Sequence, residues 1–162
     1  YGGGLYILGT ATLTNTNVYA NQASRGGYGG GLDIRGTATL TNTNVYENQV
    51  ERSGGGLYVY GTATLTNTNV YENQANYVCS PFEHSLNCHP SPRWNVTCVH
   101  GWQYGGGLYI DGTATLTDTN VYANKADLGA GVYVGSNGVA NFEGCNIHDN
   151  KATDGGGGLF IT

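Results

Sequence analysis

The sequence predicts an all-β protein, a right-handed parallel β-helix (solenoid) of about six coils. Three observations predict this fold: a repeat of nearly constant length, a two-residue alternation inside each repeat, and columns of one residue type between repeats. The repeat begins at Gly-Gly-Gly-Leu-Tyr or a variant of it, with spacings of 27, 25, 51, 24 and 27 residues between its apolar anchors. The spacing of 51 covers two periods, so one coil is interrupted by an insertion. The anchors are Leu5, Leu32, Leu57, Leu108, Val132 and Leu159.

Each repeat is predicted to consist of short strands, because apolar and polar residues alternate in segments such as Thr10-Ala11-Thr12-Leu13-Thr14. Glycines between these segments mark the corners. Columns that persist from repeat to repeat require each strand to lie beside its own copy, so neighbouring coils supply one another's core. The apolar columns are Ile7, Ile34, Val59, Ile110, Val134 and Ile161; Leu13, Leu40, Leu65, Leu116 and Phe142; and Val18, Val45, Val70, Val121 and Ile147.

An invariant asparagine column predicts a ladder of stacked side-chain amides at one corner of the coil. Such amides hydrogen-bond to one another and to the backbone of the turn. A row of polar groups that binds a ligand is the alternative, and we favour the structural role. The column is Asn21, Asn48, Asn73, Asn124 and Asn150.

Three regions follow from the repeat. Residues 1–76 hold coils 1 to 3, residues 77–103 form an insertion loop, and residues 104–162 hold coils 4 to 6. The insertion contains all three prolines, both tryptophans and three of the four cysteines. The chain opens and closes inside a coil, which predicts a fragment of a longer repeat protein.

The cysteines of the insertion, Cys79, Cys88 and Cys98, are disulfide candidates. Four cysteines allow three connectivities, and we favour Cys79 with Cys98 as the closure of the loop's neck. Cys145 occupies a column that holds threonine in the other coils, which predicts that it does not pair with the loop. Zinc is the alternative, because His84, His89 and His100 lie among the cysteines, but neither Cys-x-x-Cys nor His-x3-His spacing is present. We therefore expect no metal and no cofactor.

The insertion also carries the chain's only N-glycosylation sequon, Asn95-Val96-Thr97. A glycan at Asn95 and a disulfide together predict a secreted protein, extracellular or at the cell surface. The aromatic residues Phe82, Trp94 and Trp102 are the best candidates for assembly contacts.

Charge excludes some partners. Charged residues make up 10% of the chain and the net charge is -5, without a basic run. Nucleic acid and anionic membranes are therefore not expected as partners. No apolar stretch approaches the roughly 20 residues that cross a bilayer, so direct membrane insertion is not expected either.

The motifs Gly-Gly-Gly-Leu and Val18-Tyr19-Ala20-Asn21 resemble the GGA(I/L/V) and FxxN repeats of polymorphic outer membrane proteins, within the pectin-lyase-like right-handed β-helices. Here Gly replaces the usual Ala and Val the usual Phe. The resemblance covers the chain except for the insertion. It implies an extracellular adhesive or scaffolding shaft, and some relatives carry polysaccharide-cleaving sites.

An enzyme on this fold would need carboxylates, alone or with Arg or Lys, on one face of adjacent rungs. Asp33, Arg35 and Asp111 are the candidates, and they do not predict a convergent site. We therefore expect no catalysis. The sequence favours a structural segment of an extracellular filament or cell-surface shaft that self-associates with other copies of the repeat and is glycosylated.

The alternative is a binding module that uses outward Thr and Tyr ladders for ice or carbohydrate. Three ranks of threonine recur in four coils and resemble the Thr-x-Thr face of β-helical ice-binding proteins. The tyrosine columns that begin at Tyr6 and Tyr19 are expected to face outward as well. The threonines are Thr10, Thr12, Thr14, Thr37, Thr39, Thr41, Thr62, Thr64, Thr66, Thr113, Thr115 and Thr117.

Overall fold

The computed structural model describes residues 2–24, 26–76, 88–90, 96–98 and 102–162. They form a parallel β-solenoid of about five turns. Each complete turn contains four short strands, and each strand pairs in parallel with its equivalents in the turns on either side. The strands, numbered along the chain, therefore build four parallel sheets that run the length of the solenoid.

The first sheet contains the anchor residues of the repeat. Its strands are β1 (Leu5–Ile7), β5 (Leu32–Ile34), β9 (Leu57–Val59), β15 (Leu108–Ile110), β19 (Val132–Val134) and β23 (Leu159–Ile161).

The second sheet contains the threonine segments, and its strands are β2 (Thr10–Thr14), β6 (Thr37–Thr41), β10 (Thr62–Thr66), β16 (Thr113–Thr117) and β20 (Val139–Glu143). The third sheet contains β3 (Asn17–Tyr19), β7 (Asn44–Tyr46), β11 (Asn69–Tyr71), β17 (Asn120–Tyr122) and β21 (Asn146–His148). The fourth contains β4 (Gln22–Ala23), β8 (Gln49–Val50), β12 (Gln74–Ala75), β18 (Lys125–Leu128) and β22 (Lys151–Gly155).

The number of turns differs from the expectation of six coils. The anchor strand occurs six times, whereas each of the other three strands of the repeat occurs five times. Counting anchors alone therefore overestimated the number of turns, because the last anchor strand is not followed by the rest of a turn.

The core is a set of in-register apolar columns inside the solenoid. Leu65, for example, pairs with Leu40 on one side and Leu116 on the other, and all three are fully buried. Alanines such as Ala63 lie beside them in the same sheet and are also buried. A smaller cluster of alanines and Val50 fills the fourth sheet's side of the interior. The main cluster is one continuous core that extends through the turns, as the repeat predicted, and the smaller cluster runs beside it as a separate group.

Besides the glycine three residues before most anchors, such as Gly54 with φ 71°, two corner positions adopt a left-handed backbone conformation in every turn. The first position comes directly before the column that holds threonine in four turns and Cys145 in the fifth. It holds Asn, Asp or Gly, for example Asn67 with φ 48°. These residue types tolerate that conformation best. The second precedes the interior asparagine and holds Ala, Glu or Asp at φ 53°, although only glycine adopts this conformation without steric cost. Its members are Ala20, Glu47, Glu72, Ala123 and Asp149.

The insertion leaves the solenoid after Asn76, and the repeat register resumes at Gln103. The backbone N–H of Asn76 donates to Val50 O, as the N–H of Glu51 donates to Ala23 O one turn earlier. The carbonyl of Gln103 accepts from the N–H groups of the next turn. The turns before and after the insertion therefore stack as if the intervening residues were absent.

Candidate functional surfaces

The predicted column of asparagines forms a continuous hydrogen-bonded ladder inside one corner of the solenoid. The Nδ2 of Asn21 donates to Asn48 Oδ1 at 2.9 Å, and Asn48 donates in the same way to Asn73 at 3.0 Å. Asn73 donates to Asn124 at 3.1 Å and Asn124 to Asn150 at 2.9 Å. Each amide from Asn21 to Asn124 thus donates to the asparagine of the next turn toward the C-terminal end, and Asn150 closes the ladder as an acceptor.

Asn73 shows why no other residue type suits this position. Its Oδ1 accepts from both the backbone N–H and the Nδ2 of Asn48 at 3.0 Å. Its Nδ2 donates to Asn124 Oδ1 and, at 2.8 Å, to the carbonyl of Val45. The side chain is fully buried, and its two donors and two acceptor sites are all used. Hydrogen bonds to neighbouring turns use all of the donors and acceptor sites of the side chain, which supports the structural role over ligand binding.

A second asparagine ladder, which the sequence analysis missed, lies on the outer face of the third sheet. Its hydrogen bonds run in the opposite direction, because each Nδ2 donates toward the N-terminal end. Asn44 donates to Asn17 Oδ1 at 2.9 Å, and Asn69 donates to Asn44 at 2.8 Å. Asn120 and Asn146 continue the ladder at 2.8 and 3.0 Å. The invariant asparagine before the apolar residue of each strand was the available signal.

The second sheet carries the predicted threonine lattice. Four of its strands pair in register, so Thr12, Thr39, Thr64 and Thr115 form the central rank. Threonines of the three ranks are exposed or half-buried, whereas the alternating residues such as Leu65 point into the core. Spacings of about 4.8 Å between rungs and about 6.7 Å along a strand follow from β geometry. The fifth strand ends the lattice with Val139, Asn141 and Glu143.

The tyrosines of the third sheet form a regular aromatic stack. Tyr19, Tyr46, Tyr71 and Tyr122 lie 4.9–5.0 Å apart between ring centroids, and their planes differ by at most 4°. His148 extends the stack at 5.2 Å. Tyr19, at the N-terminal end, is 53% exposed. This stack faces outward, in agreement with the sequence analysis.

The tyrosines of the first sheet are not an open outward face, and that prediction was wrong for Tyr58 and Tyr133, which are buried. Tyr28 packs on Tyr58 and Tyr104 packs on Tyr133, both at 4.6 Å between centroids. Burial raises the pKa of Tyr58 to about 12 and also raises the pKa of Tyr109. Tyr58 and Tyr133 thus belong to a second layer of packing, whereas Tyr6 of the same column is 42% exposed.

The charged candidates for catalysis serve the same packing. Asp33 is fully buried and accepts from Arg35 Nε at 2.8 Å. The guanidinium of Arg35 also lies 5.1 and 5.2 Å from the ring centroids of Tyr58 and Tyr60. The hydrogen bond to Asp33 raises the pKa of Arg35. Asp111 is separately bound by the side chain of Asn137 at 3.3 Å. The Asp33–Arg35 pair thus has a structural partner for each charge.

Cys145 takes the place of threonine in a column of inward hydroxyls. Thr68 and Thr119 are fully buried, and their hydroxyls donate to the carbonyl two residues earlier at 3.2 and 3.1 Å. The thiol of Cys145 contacts the equivalent carbonyl, that of Glu143, at 3.4 Å and the Leu116 carbonyl at 3.3 Å. It is a free cysteine, which agrees with its expected separation from the loop.

Most sites predicted in the insertion lie outside the described residues: Cys79, Phe82, Trp94 and Asn95. The pairing of Cys79 with Cys98 therefore stays a prediction. Strands β13 (Cys88–Pro90) and β14 (Val96–Cys98) are antiparallel, and their backbone register sets Cys88 opposite Cys98. Trp102 is described and is 53% exposed.

The described part of the chain contains neither a metal-binding cluster nor a membrane-crossing helix. Among its His, Cys, Asp and Glu side chains, no group of three or more is placed to hold a metal ion. None of its residues forms a helix with the length and apolarity that a bilayer crossing needs.

Comparison of the chain with protein-family models, with curated proteins and with solved structures finds no match.

Proposed function

We propose that the chain is a structural segment of an extracellular filament or cell-surface shaft, self-associating and without catalysis. One observation carries the proposal: the interior asparagine ladder links every turn to the next through buried hydrogen bonds. Such a ladder makes neighbouring turns cohere without a charged or reactive site. A rod of this kind supplies length and stiffness.

The finer features of the fold belong to the same proposal. The coil is right-handed, as connections between parallel strands of one sheet almost always are. The repeat is related to those of polymorphic outer membrane proteins within the pectin-lyase-like β-helices. A disulfide and a glycan at Asn95 stabilise and shield the insertion, as suits a secreted protein.

The insertion supplies the contact between copies. Trp102 is 53% exposed at the point where the insertion rejoins the solenoid, and large exposed aromatic residues are frequent anchors of protein interfaces. Phe82 and Trp94 lie within the same insertion and enlarge the aromatic content of the contact.

Electron microscopy of the native protein tests this proposal, together with mass spectrometry of its glycopeptides. The informative variant lacks residues 77–102 and joins Asn76 directly to Gln103, which reproduces the Glu51–Arg52 connection of the preceding turn. Gln103 is retained because it is buried and its carbonyl binds the next turn. We expect this variant to fold and to stay dispersed, while the native protein forms fibres.

A single substitution gives a sharper control. Trp102→Ala is expected to weaken assembly, and Tyr60→Ala, which removes a ring of nearly equal exposure (54%) from the solenoid, is expected to leave it unchanged. Filaments formed by the deletion variant would refute the role of the insertion, and a dispersed native protein would refute the filament itself.

A second candidate function is supported by the threonine lattice. Twelve in-register threonines form a flat, uncharged surface with regular spacing, which suits an ordered ligand surface such as ice or a carbohydrate fibre. Thr64→Lys would place a charge at the centre of this lattice. Gln49→Lys is the matched control, because the same column of the fourth sheet holds lysine in two later turns.

Ice recrystallisation and glycan-array binding, measured on the native chain and both variants, test this candidate. Activity that is lost in Thr64→Lys and retained in Gln49→Lys would support it. Native protein without either activity would exclude it.

A further inference from the structure

Both lysines of the chain stand side by side on the fourth sheet. Lys125 of β18 and Lys151 of β22 pair in register, so they occupy adjacent rungs of one column. The same column holds glutamine in the three preceding turns, at Gln22, Gln49 and Gln74. The chain thus replaces a neutral residue by a cation twice, at neighbouring positions.

The one described acidic residue that lines the same pocket as these two lysines is Asp127, so the two positive charges exceed the negative charge beside them. Neither lysine forms an ion pair among the described residues, although like charges on adjacent strands repel each other. Asp127 lies on the same strand as Lys125, but other groups occupy its two oxygens. Its Oδ1 accepts from the Thr153 hydroxyl at 2.9 Å, and its Oδ2 accepts from the backbone N–H of Gln103 at 3.2 Å.

The lysines also line a pocket of about 230 Å³. It lies across β12, β18 and β22, beside the residues where the insertion leaves and rejoins the solenoid. Two side-chain amides and a hydroxyl accompany the two ammonium groups as hydrogen-bond donors, while the carboxylate of Asp127 contributes only acceptors. The polar residues of its lining are Gln74, Asn76, Lys125, Asp127, Lys151 and Thr153.

We propose that this pocket binds an oxyanion, a sulfate or a carboxylate group. The backbones of the two strands lie about 4.8 Å apart, so the ammonium groups on the two flexible side chains can reach different oxygens of one such group. The bound anion removes the repulsion between Lys125 and Lys151, and the amides of Gln74 and Asn76 donate to its remaining oxygens. This site does not depend on the filament proposal, because it requires only one copy of the chain.

Thermal unfolding of the full chain tests the site with sodium sulfate and, separately, with oligogalacturonate as probes, against sodium chloride at equal ionic strength. Matched ionic strength is required because any salt screens the repulsion of the two lysines. A ligand at tenfold excess over its dissociation constant shifts the unfolding equilibrium about 11-fold toward the folded state. We expect such a shift with at least one probe, and the probe that gives it separates sulfate from carboxylate recognition.

The variant Lys125→Gln/Lys151→Gln restores the glutamine of the other turns, so it is expected to fold. It should lose the stabilisation by the anion. Arg52→Gln removes one of the exposed cations outside the pocket and should keep it. The proposal is overturned if neither probe stabilises the native chain beyond chloride, or if the double variant responds as strongly as the native chain.

Discussion

The backbone of Gly56 packs directly against the side-chain amide of Asn73, so that a Cβ atom placed on Gly56 would lie 3.0 Å from Asn73 Nδ2. The same relationship joins Gly107 to Asn124, also at 3.0 Å. The two motifs of the repeat, Gly-Gly-Gly-Leu and Val-x-x-Asn, therefore meet in space within each turn. The carbonyl oxygen of Gly107 in the next turn would lie still closer to the Cβ placed on Gly56, at 2.8 Å. The third position of the first motif therefore requires glycine, because both the neighbouring backbone and the second motif fill the space beside it.

Gly56→Ala should therefore destabilise the solenoid by about 1–3 kcal/mol, since the methyl group presses on the backbone carbonyl of Gly107 and on the buried, fully hydrogen-bonded amide of Asn73. Denaturant-induced unfolding followed by circular dichroism measures the change. Gly9→Ala is the control, because no atom lies within 4 Å of its Cβ position. Equal losses in the two variants would show that glycine acts here through chain flexibility and not through contact with the ladder.

The two asparagine ladders should differ in how much each contributes to the free energy of unfolding. Asn73→Ala removes four buried hydrogen bonds and leaves unpaired the backbone N–H of Asn48 and one of its two side-chain N–H groups, which is expected to cost about 3–5 kcal/mol. Asn69→Ala removes two bonds from a half-buried side chain, at 2.8 Å each, and should cost about 1 kcal/mol. Unfolding free energies of both variants test the difference. A loss for Asn69→Ala as large as that for Asn73→Ala would assign the outer ladder an equal structural role.

The sequence predicted the interior of this fold well because interior columns repeat one residue type. Leu65 and Asn73 have the same neighbour above and below, so the column itself reports the contact. The sequence did not predict the burial of the Tyr58 column, because the residues that cover this column do not repeat from turn to turn. Tyr28, Ser53 and Tyr104 bridge neighbouring turns outside the named strands and differ in type, so no column marks them as a layer.

The outer ladder was missed for a different reason. Asn69 and Asn73 are both invariant asparagines, and a single sequence does not distinguish an amide that bonds inside the corner from one that bonds on the sheet surface. The sites of the insertion could not be inferred from the repeat at all, because residues 77–102 have no counterpart in other turns. The pair Lys125 and Lys151 is visible in the sequence only once the turns are aligned across the fourth sheet.

The corner before each interior asparagine stores backbone strain, and glycine should relieve it. Ala123 has φ 53°, a conformation that costs a side-chain-bearing residue about 1–2 kcal/mol relative to glycine. Glycine has more conformational freedom than alanine in the unfolded chain, and this offsets part of the gain. Ala123→Gly should therefore stabilise the solenoid by a net of about 0.5–1 kcal/mol. Ala114→Gly, in a strand and fully buried, should destabilise it. Thermal unfolding decides the signs, and a destabilised Ala123→Gly variant would contradict the assignment of strain to this corner.

Alkaline titration should report the covered tyrosine layer. The pKa of Tyr58 is raised to about 12 from the ordinary value of about 10, because burial disfavours the phenolate. The folded state therefore keeps this proton where the unfolded state releases it. The corresponding stability is present below pH about 10 and is lost as the pH rises toward about 12.

Tyr58→Phe removes this titration, so the variant should lose less stability than the native chain between about pH 9 and about pH 11.5. Tyr60→Phe changes a ring that is 54% exposed, and it should follow the native chain over the same range. Urea unfolding at these two pH values measures the unfolding free energy that each protein loses. Because each variant is compared with itself at the lower pH, the pH-independent effect of removing the hydroxyl cancels. If Tyr58→Phe lost as much stability as the native chain, the ring of Tyr58 would be accessible to water, and Tyr28 would not cover the first sheet as the structure shows.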